Sequence, residues 1–186
     1  MSLSEFLGDV TTVLDNARVS YILTGSLAAA YYAAPRATQD VDLVIEVTEA
    51  QVEAIVRGLL SAGCYVDREA ALVACRVRGQ FNAIDPRLGW KLDLIVRKDR
   101  PYSVEEFSRR HRGAILGVDM WLATLEDIVI SKLEWSRLGE SERQRRDVVH
   151  LLERGWQDLD REYVERWVAE LGLEAEWKRA LSTRTP

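Results

Sequence analysis

The segment QDVDLVIE places two aspartates, Asp40 and Asp42, one residue apart within an apolar run. The alternation predicts a β-strand in which Val41, Leu43 and Ile45 are buried and both aspartates project from the opposite face. Aspartate is a poor strand former, and like charges on one face of a sheet repel each other. We therefore expect these two carboxylates to serve a purpose other than folding.

A third aspartate, Asp93, lies within a second alternating run, WKLDLIV. If the two acidic strands are neighbours, three carboxylates share one small volume. Two such charges about 4 Å apart repel by roughly 4 kcal/mol at an effective dielectric of about 20, so protonation or a cation must relieve the repulsion. Oxygen donors without a nearby histidine favour a hard ion. The sequence therefore predicts a Mg²⁺ or Mn²⁺ site formed by Asp40, Asp42 and Asp93.

A candidate phosphate-binding turn precedes the first acidic strand. The run VSYILT predicts a strand that ends at Gly25-Ser26 and leads directly into a short alanine-rich helix that stops at Pro35. Glycine permits close backbone approach, and the N–H groups of a helix N-terminus together with a hydroxyl can contact a phosphate oxygen. Mg²⁺ held by a few carboxylates, with its other positions left to water and phosphate, is typical of phosphoryl-transfer sites.

These features together resemble the nucleotidyltransferase superfamily that includes DNA polymerase beta. The resemblance is carried by TGS, then TQDVDLVIE, then the later strand aspartate in KLDLIV, and it covers roughly residues 17–155. The greatest similarity is to compact bacterial nucleotidyltransferases of the abortive-infection and toxin–antitoxin type, which share segments like FNAIDPRLGWKLD, EDIVISKLEW and RQRRDVV. Each motif is weak alone, but their order and structural contexts are specific for the fold.

The resemblance implies transfer of an NMP group from an NTP to an acceptor hydroxyl, with release of pyrophosphate. Gly25 and Ser26 would contact the β- and γ-phosphates, and Asp40 and Asp42 would hold the metal that binds the triphosphate. Asp93 would complete a second metal site and act as the general base. The acceptor would be RNA such as a tRNA end, a partner protein, or a small molecule such as an aminoglycoside.

Two basic residues of the C-terminal half are candidate nucleotide ligands. Lys132 shares a helix face with Ile128 and Leu125, so it is expected to point inward, towards a triphosphate or pyrophosphate. Arg146 precedes an apolar helical run and is the second candidate, with Asp147 as a residue that orients either Lys132 or an arginine. A solvated lysine and an ion-paired helix surface are the alternatives. Arg36 and Thr38, which precede the aspartates, either position the nucleotide or shape the turn.

Hydrophobic periodicity divides the chain into two parts. The sequence predicts an α/β (α+β) fold: a nucleotidyltransferase-like domain over residues 1–118, with a mixed sheet flanked by helices, then a helical C-terminal region over 119–186. Thr48 is expected to cap a helix over 49–62. The segments CYVD and ALVACRVR are expected to be strands, although the second is also compatible with a helix.

Composition narrows the class of protein. Of the 186 residues, 47% are hydrophobic and 30% are charged, which is typical of a globular protein. A net charge of −5 argues against an indiscriminate nucleic-acid binder. The N-terminus lacks the features of a signal peptide and no run is long enough to span a bilayer, so we expect a cytoplasmic protein without membrane contact.

Two other classes of function remain open. A non-catalytic nucleotide-binding module, working by association within a toxin–antitoxin pair, would keep the fold but would not need three intact carboxylates. A metal-dependent hydrolase or nuclease would use the acidic cluster but would leave the Gly25-Ser26 turn unexplained. The sequence does not indicate the preferred base.

Overall fold

A computed structural model of the chain describes residues 2–33, 38–87, 89–139 and 141–184. Within these residues the strands are β1 (Ser20–Thr24), β2 (Asp40–Glu46), β3 (Tyr65–Val66), β4 (Gln80–Asp85), β5 (Trp90–Val96), β6 (His111–Ile115) and β7 (Val118–Leu122). The helices are α1 (Leu3–Asn16), α2 (Gly25–Tyr32), α3 (Glu49–Ser61), α4 (Arg68–Val77), α5 (Pro101–Ser108), α6 (Leu125–Gly139), α7 (Glu142–Gly155), α8 (Arg161–Leu171) and α9 (Glu174–Thr183).

The described strands form one mixed sheet in the order β3-β4-β5-β2-β1-β7-β6. The pairs β2–β5 and β1–β7 are parallel, and the other neighbouring pairs are antiparallel. The apolar residues of β2 and β5 alternate with polar ones and are buried in a core shared with α1 and α3. The mixed sheet flanked by helices confirms the fold that the sequence predicts.

The sequence-based prediction of a strand is wrong for one segment. The segment ALVACRVR belongs to α4, not to a strand. Asp67 caps this helix by accepting a hydrogen bond from the amide of Ala70, and the buried residues Ala71, Leu72 and Ala74 fall on one helical face. The apolar pattern of this segment is compatible with a helix or a strand. The alanines and the capping Asp67 favour the helix more strongly than the β-branched valines favour a strand.

Other local predictions are confirmed. Thr48 caps α3 through a reciprocal hydrogen-bond pair with Gln51. The helix after Gly25 ends at Tyr32, and its expected end at Pro35 lies outside the described residues. The sheet extends through β7 to Leu122, and the described elements after it are helices. The division into domains at residue 118 stays a prediction.

Helix α6 joins the sheet to the C-terminal helices, since it contacts α2, α7, α8 and α9. Its buried carboxylate Asp127 accepts hydrogen bonds from Tyr163 Oη at 2.7 Å and from Thr124 Oγ1 at 2.8 Å. Arg109 Nε lies 3.5 Å from the same carboxylate. These partners offset the cost of burying the charge and fix α6 relative to α8 and to the segment before β6.

Among the described residues, none of the helices has both the length and the apolar character needed to cross a membrane.

Glu106 on α5 is a buried carboxyl group without a compensating bond. It is 6% exposed, and no described residue forms a hydrogen bond with it. Burial and the nearby Asp127 raise the pKa of Glu106 to about 8, against the opposing effect of Arg100. The folded protein therefore holds a proton at this position that the unfolded chain releases near pH 4.5.

Because the folded protein holds this proton, its free energy of unfolding should fall as the pH rises. The stabilisation from Glu106 is complete below about pH 4.5 and is lost as the pH rises through about 8; the slope is up to about 1.4 kcal/mol per pH unit. Glu106→Gln should remove this slope and raise the free energy of unfolding at pH 8. Urea unfolding between pH 5 and 8 measures it, with Glu105→Gln on the same helix as the control. An unchanged slope in Glu106→Gln would contradict the assignment.

Candidate active site

The two acidic strands are adjacent, parallel and in register. Asp42 on β2 is paired with Asp93 on β5, and Asp40 is paired with Lys91. Since side chains two residues apart share a face, all four project from the same side of the sheet. The structure therefore brings the three predicted carboxylates onto one face of two neighbouring strands. Their catalytic and metal-binding roles remain predictions.

Asp42 lies at the electrostatic centre of this cluster. Burial, together with the neighbouring charges of Asp93 and Asp40, raises the pKa of its carboxyl to about 6. Lys132 and Lys91 act in the opposite direction. Burial and the like charges of the neighbouring carboxylates both disfavour the ionised form of Asp42, so an additional positive charge would stabilise it.

Lys91 is a site residue that the sequence analysis missed. Its Nζ lies 2.8 Å from Asp93 Oδ2, and their side chains are 38% and 13% exposed. Lys91 and Asp93 are two residues apart on β5, so the alternation that identified Asp93 also places Lys91 on the same face of the strand. A metal ion at Asp93 would compete with this ammonium group for the carboxylate.

Gly25 allows the turn and the carboxylate to share one space. Its φ is +69°, and a Cβ atom built on it would lie 2.0 Å from Asp42 Oδ2. A side chain at this position would be strained and would also collide with Asp42. The adjacent Ser26 lines the same cavity as Asp42 and Asp93. The predicted phosphate-binding turn and the acidic cluster are therefore in contact.

Lys132 reaches this cavity from α6 and is 3% exposed, which confirms the predicted inward orientation. Its Nζ donates hydrogen bonds to Asp147 Oδ2 at 2.7 Å and to Gln144 Oε1 at 3.1 Å. Asp147 on α7 thus orients the lysine, as expected. The ammonium is held in place beside the acidic face, where it can meet an anionic ligand.

Arg146 is not brought to the cluster. It is exposed on α7 and lines a separate groove towards α9, with His150 and Arg179. Its predicted contact with nucleotide has no geometric support in this arrangement. Thr38 exchanges hydrogen bonds with the backbone of Asp40, so it shapes the start of β2. Arg36 lies outside the described residues.

The cavity that unites these groups, here called the acidic cavity, has a volume of about 220 Å³. Besides the predicted residues it is lined by Thr24, Gln80, Ile95, Ser131, Trp135 and Gln144. None of these was singled out from sequence. Thr24 and Ile95 belong to apolar strand patterns, and Trp135 falls at a helical spacing that is typical of a packing residue.

The donor set suits a hard divalent ion, although it is not a ready-made cage. Among the described residues, no group of three His, Cys, Asp or Glu side chains is already arranged to hold a metal. Asp42 and Asp93 are paired across the strands, and the Lys91 ammonium is bound at Asp93 as a substitute cation. A metal ion would therefore have to displace Lys91 from Asp93.

Comparisons with known proteins give the same fold. No protein-family model matches the sequence, and neither does any curated protein. The crystal structure of ANT(2″)-Ia with adenylyl-2″-tobramycin has a TM-score of 0.61 at 13% identity, covering 95% of this chain and 99% of that protein. A lincomycin-bound lincosamide antibiotic adenylyltransferase, LnuA, has a TM-score of 0.53 at 10% identity, covering 78% and 93%.

A third similar structure is an antigenic nucleotidyltransferase-like protein from Paracoccidioides brasiliensis, with a TM-score of 0.56 at 18% identity, covering 81% of this chain and 76% of that protein. At such low identity the likeness concerns the fold. The chain has the nucleotidyltransferase fold that its motifs predicted.

The contact between Gly25 and Asp42 gives a test of the site. Gly25→Ala should lower the free energy of unfolding by more than the roughly 1–2 kcal/mol of a strained left-handed alanine, because the methyl group also displaces the Asp42 carboxylate. Thermal and urea unfolding measure the loss.

Gly117→Ala is the matched control, since Gly117 has φ +82° and a Cβ there would meet no atom within 4 Å. The extra loss at Gly25 should shrink when Asp42→Ala is added, because the collision is then gone. Equal losses at Gly25 and Gly117, with full additivity, would contradict the close contact.

Proposed function

We propose that this protein is a metal-dependent nucleotidyltransferase that transfers an NMP group from an NTP to a hydroxyl group of a small molecule. The observation that carries the proposal is the single cavity in which Asp42 and Asp93, in register on parallel strands, meet the Gly25-Ser26 turn and Lys132. The fold shared with two antibiotic adenylyltransferases supports the reaction class and favours a small acceptor over RNA or protein.

The turn would bind the triphosphate tail. Gly25 begins α2, so the backbone N–H groups of the first helical turn and the Ser26 hydroxyl would contact the β- and γ-phosphate oxygens. Lys132, held by Asp147 and Gln144, would add a positive charge from the opposite side. These groups would neutralise the charge that accumulates on pyrophosphate as it leaves.

The carboxylates would hold Mg²⁺ or Mn²⁺. Asp40 and Asp42 would face the triphosphate, and Asp93 would face the acceptor. When bound, the metal would neutralise the phosphate oxygens and lower the pKa of the acceptor hydroxyl. Lys91, which is paired with Asp93, would be a second positive group beside these carboxylates.

The reaction is a displacement at the α-phosphorus atom. The acceptor oxygen forms a bond to this phosphorus while the bond to the β-phosphate bridging oxygen breaks, and pyrophosphate leaves with the bond electrons. The hydroxyl proton passes to Asp93 as the general base. The cytoplasmic location and the role in a toxin–antitoxin pair remain predictions from the sequence.

Replacing one carboxylate tests this proposal. Asp42→Asn and Asp93→Asn should each lower NMP transfer by at least about 100-fold, since each removes charge that the transition state needs. The assay incubates the protein with each α-labelled NTP, Mg²⁺ or Mn²⁺, and a panel of antibiotics, small amino alcohols, RNA and cell extract. Label in a product and release of pyrophosphate are measured together.

Asp119→Asn, an exposed aspartate on β7, is the control and should keep full activity. Asp42→Asn should remain folded, because it removes a buried charge that its neighbours repel. Nucleotide binding without transfer to any acceptor would instead favour a non-catalytic module. Release of free phosphate or cleavage of nucleic acid would favour a hydrolase or nuclease.

A further inference from the structure

A second cavity of about 140 Å³ adjoins the acidic cavity. The two share Thr24, Ile95, Ser131 and Trp135. The second is also lined by Glu106 from α5, and we call it the Glu106 cavity. It is bounded below by Val44 and Ile95 on the sheet, and above by α5 and α6. The proposed reaction assigns no role to the residues that line this cavity.

The strand register shows on which side of the reactive centre this cavity lies. β1 runs antiparallel to β2, with Ile22 beside Val44 and Thr24 beside Asp42. Gly25 therefore lies beyond Asp42, on the side away from Val44. The Glu106 cavity and the phosphate-binding turn are on opposite sides of Asp42 and Asp93.

An in-line displacement requires this opposite placement. The attacking and leaving oxygens lie on a line through phosphorus, so pyrophosphate at the turn requires the acceptor to approach from the other side. That side opens into the Glu106 cavity. The acceptor hydroxyl would lie at Asp93, and the remainder of the acceptor would extend past Ile95 into the cavity.

Glu106 is a buried carboxyl group in this cavity that lacks a hydrogen-bond partner. It is 6% exposed, it lines the cavity, and no described residue forms a hydrogen bond with it. The nearest guanidinium, Arg100, directs both terminal nitrogens to Glu134 at 2.7 and 2.6 Å. Its Nε donates to Ser103 at 3.0 Å, so its donors are engaged elsewhere.

The other charged groups around Glu106 do not neutralise it. Arg97, at the cavity rim, is paired with Glu46 and Asp99. Asp127 lies behind Glu106 and adds negative charge, as does Glu134. Lys98 is exposed at the rim. Tyr102 is neutral, and its hydroxyl donates a hydrogen bond to the backbone carbonyl of Asp127. Arg97 and Arg100 are therefore both paired with other carboxylates, and Glu106 is the acidic group of the lining that a cationic ligand can pair with.

We infer that the Glu106 cavity is the acceptor subsite, and that it takes a small hydroxyl compound carrying an ammonium group, which binds the Glu106 carboxylate. This inference rests on the proposed transfer reaction for the placement of the hydroxyl. The ammonium group supplies both the charge and the hydrogen-bond donors that the buried carboxyl lacks. Glu106 is a specificity-determining residue, since it touches the acceptor but not the reacting atoms.

Two further residues suit an organic acceptor. Trp135 is 49% exposed at the junction of the two cavities, where its indole offers a flat apolar surface to a ring. The buried hydroxyl of Thr24 has no hydrogen-bond partner among the described residues and also faces both cavities.

Binding of amines tests the subsite directly, without NTP or metal. The probes are tobramycin, lincomycin, glucosamine and ethanolamine, each paired with its N-acylated or hydroxyl counterpart that carries no charge. At least one amine should bind more tightly than its neutral counterpart. Glu106→Gln should weaken that binding by about 10- to 100-fold, the effect of losing a charged hydrogen bond. Glu105→Gln on the outer face of α5 should leave it unchanged.

Proton release is a second readout that a merely structural role would not change. Because the pKa of Glu106 is about 8 in the empty cavity, binding of an ammonium at pH 7 should ionise it and release up to one proton. Calorimetry in buffers of different ionisation enthalpy measures this release. Glu106→Gln should abolish it, and this variant is expected to fold at least as well as the original chain.

The outcomes separate this inference from the proposed function. Amine binding that is lost in Glu106→Gln while Mg²⁺–NTP binding is retained supports the subsite. Failure of every amine to bind above its neutral counterpart, equal binding by Glu106→Gln, or transfer of NMP to neutral and cationic acceptors alike would overturn it. Absence of NTP binding or transfer, with amine binding intact, would overturn the reaction but leave the cationic subsite standing.

Discussion

The in-register pairing of β2 with β5 is the constraint on which the site depends. It sets Asp42 beside Asp93 and Asp40 beside Lys91, so carboxylates and one ammonium occupy adjacent positions on one face. A shift by one residue would turn either set of side chains into the core. The buried valine and leucine residues on the opposite face exclude that shift, so hydrophobic packing fixes the geometry of the charged cluster.

The helices supply the side chains that line the acidic cavity opposite the sheet. α6 presents Lys132 and Trp135 to the acidic face, while α7 holds the lysine through Asp147. The Asp127 network locks α6 to α8 at a distance from the reactive centre. The polar groups of the site thus come from elements that are each fixed by buried contacts of their own, which limits the freedom of the cavity walls.

Much of this arrangement could be predicted because it follows the two-residue period of strands. That period placed Asp40, Asp42 and Asp93 on the correct faces, and helical spacing oriented Lys132. This reasoning did not settle the position of Arg146, which lies exposed on α7, since exposure within a helix depends on which neighbour covers it. It also failed for the segment that forms α4, where a capping aspartate decided between two compatible patterns.

Glu106 and Thr24 show a different limit. Neither stands out in sequence, because a glutamate on a short helix and a threonine ending a strand are ordinary. Their importance comes from what surrounds them: burial without a hydrogen-bond partner in the described part of the chain. Such a property belongs to the assembled fold, and no local pattern carries it.

The interlock of Gly25 with the Asp42 carboxylate has a consequence for how this chain tolerates change. Positions 25 and 42 occupy one shared volume, although they belong to different elements. In a library that varies both, the accepted pairs should be governed by their combined size and backbone angle, so that neither position has a substitution profile of its own. The turn proposed to bind the nucleotide and the acid proposed to bind its metal should therefore change together rather than independently.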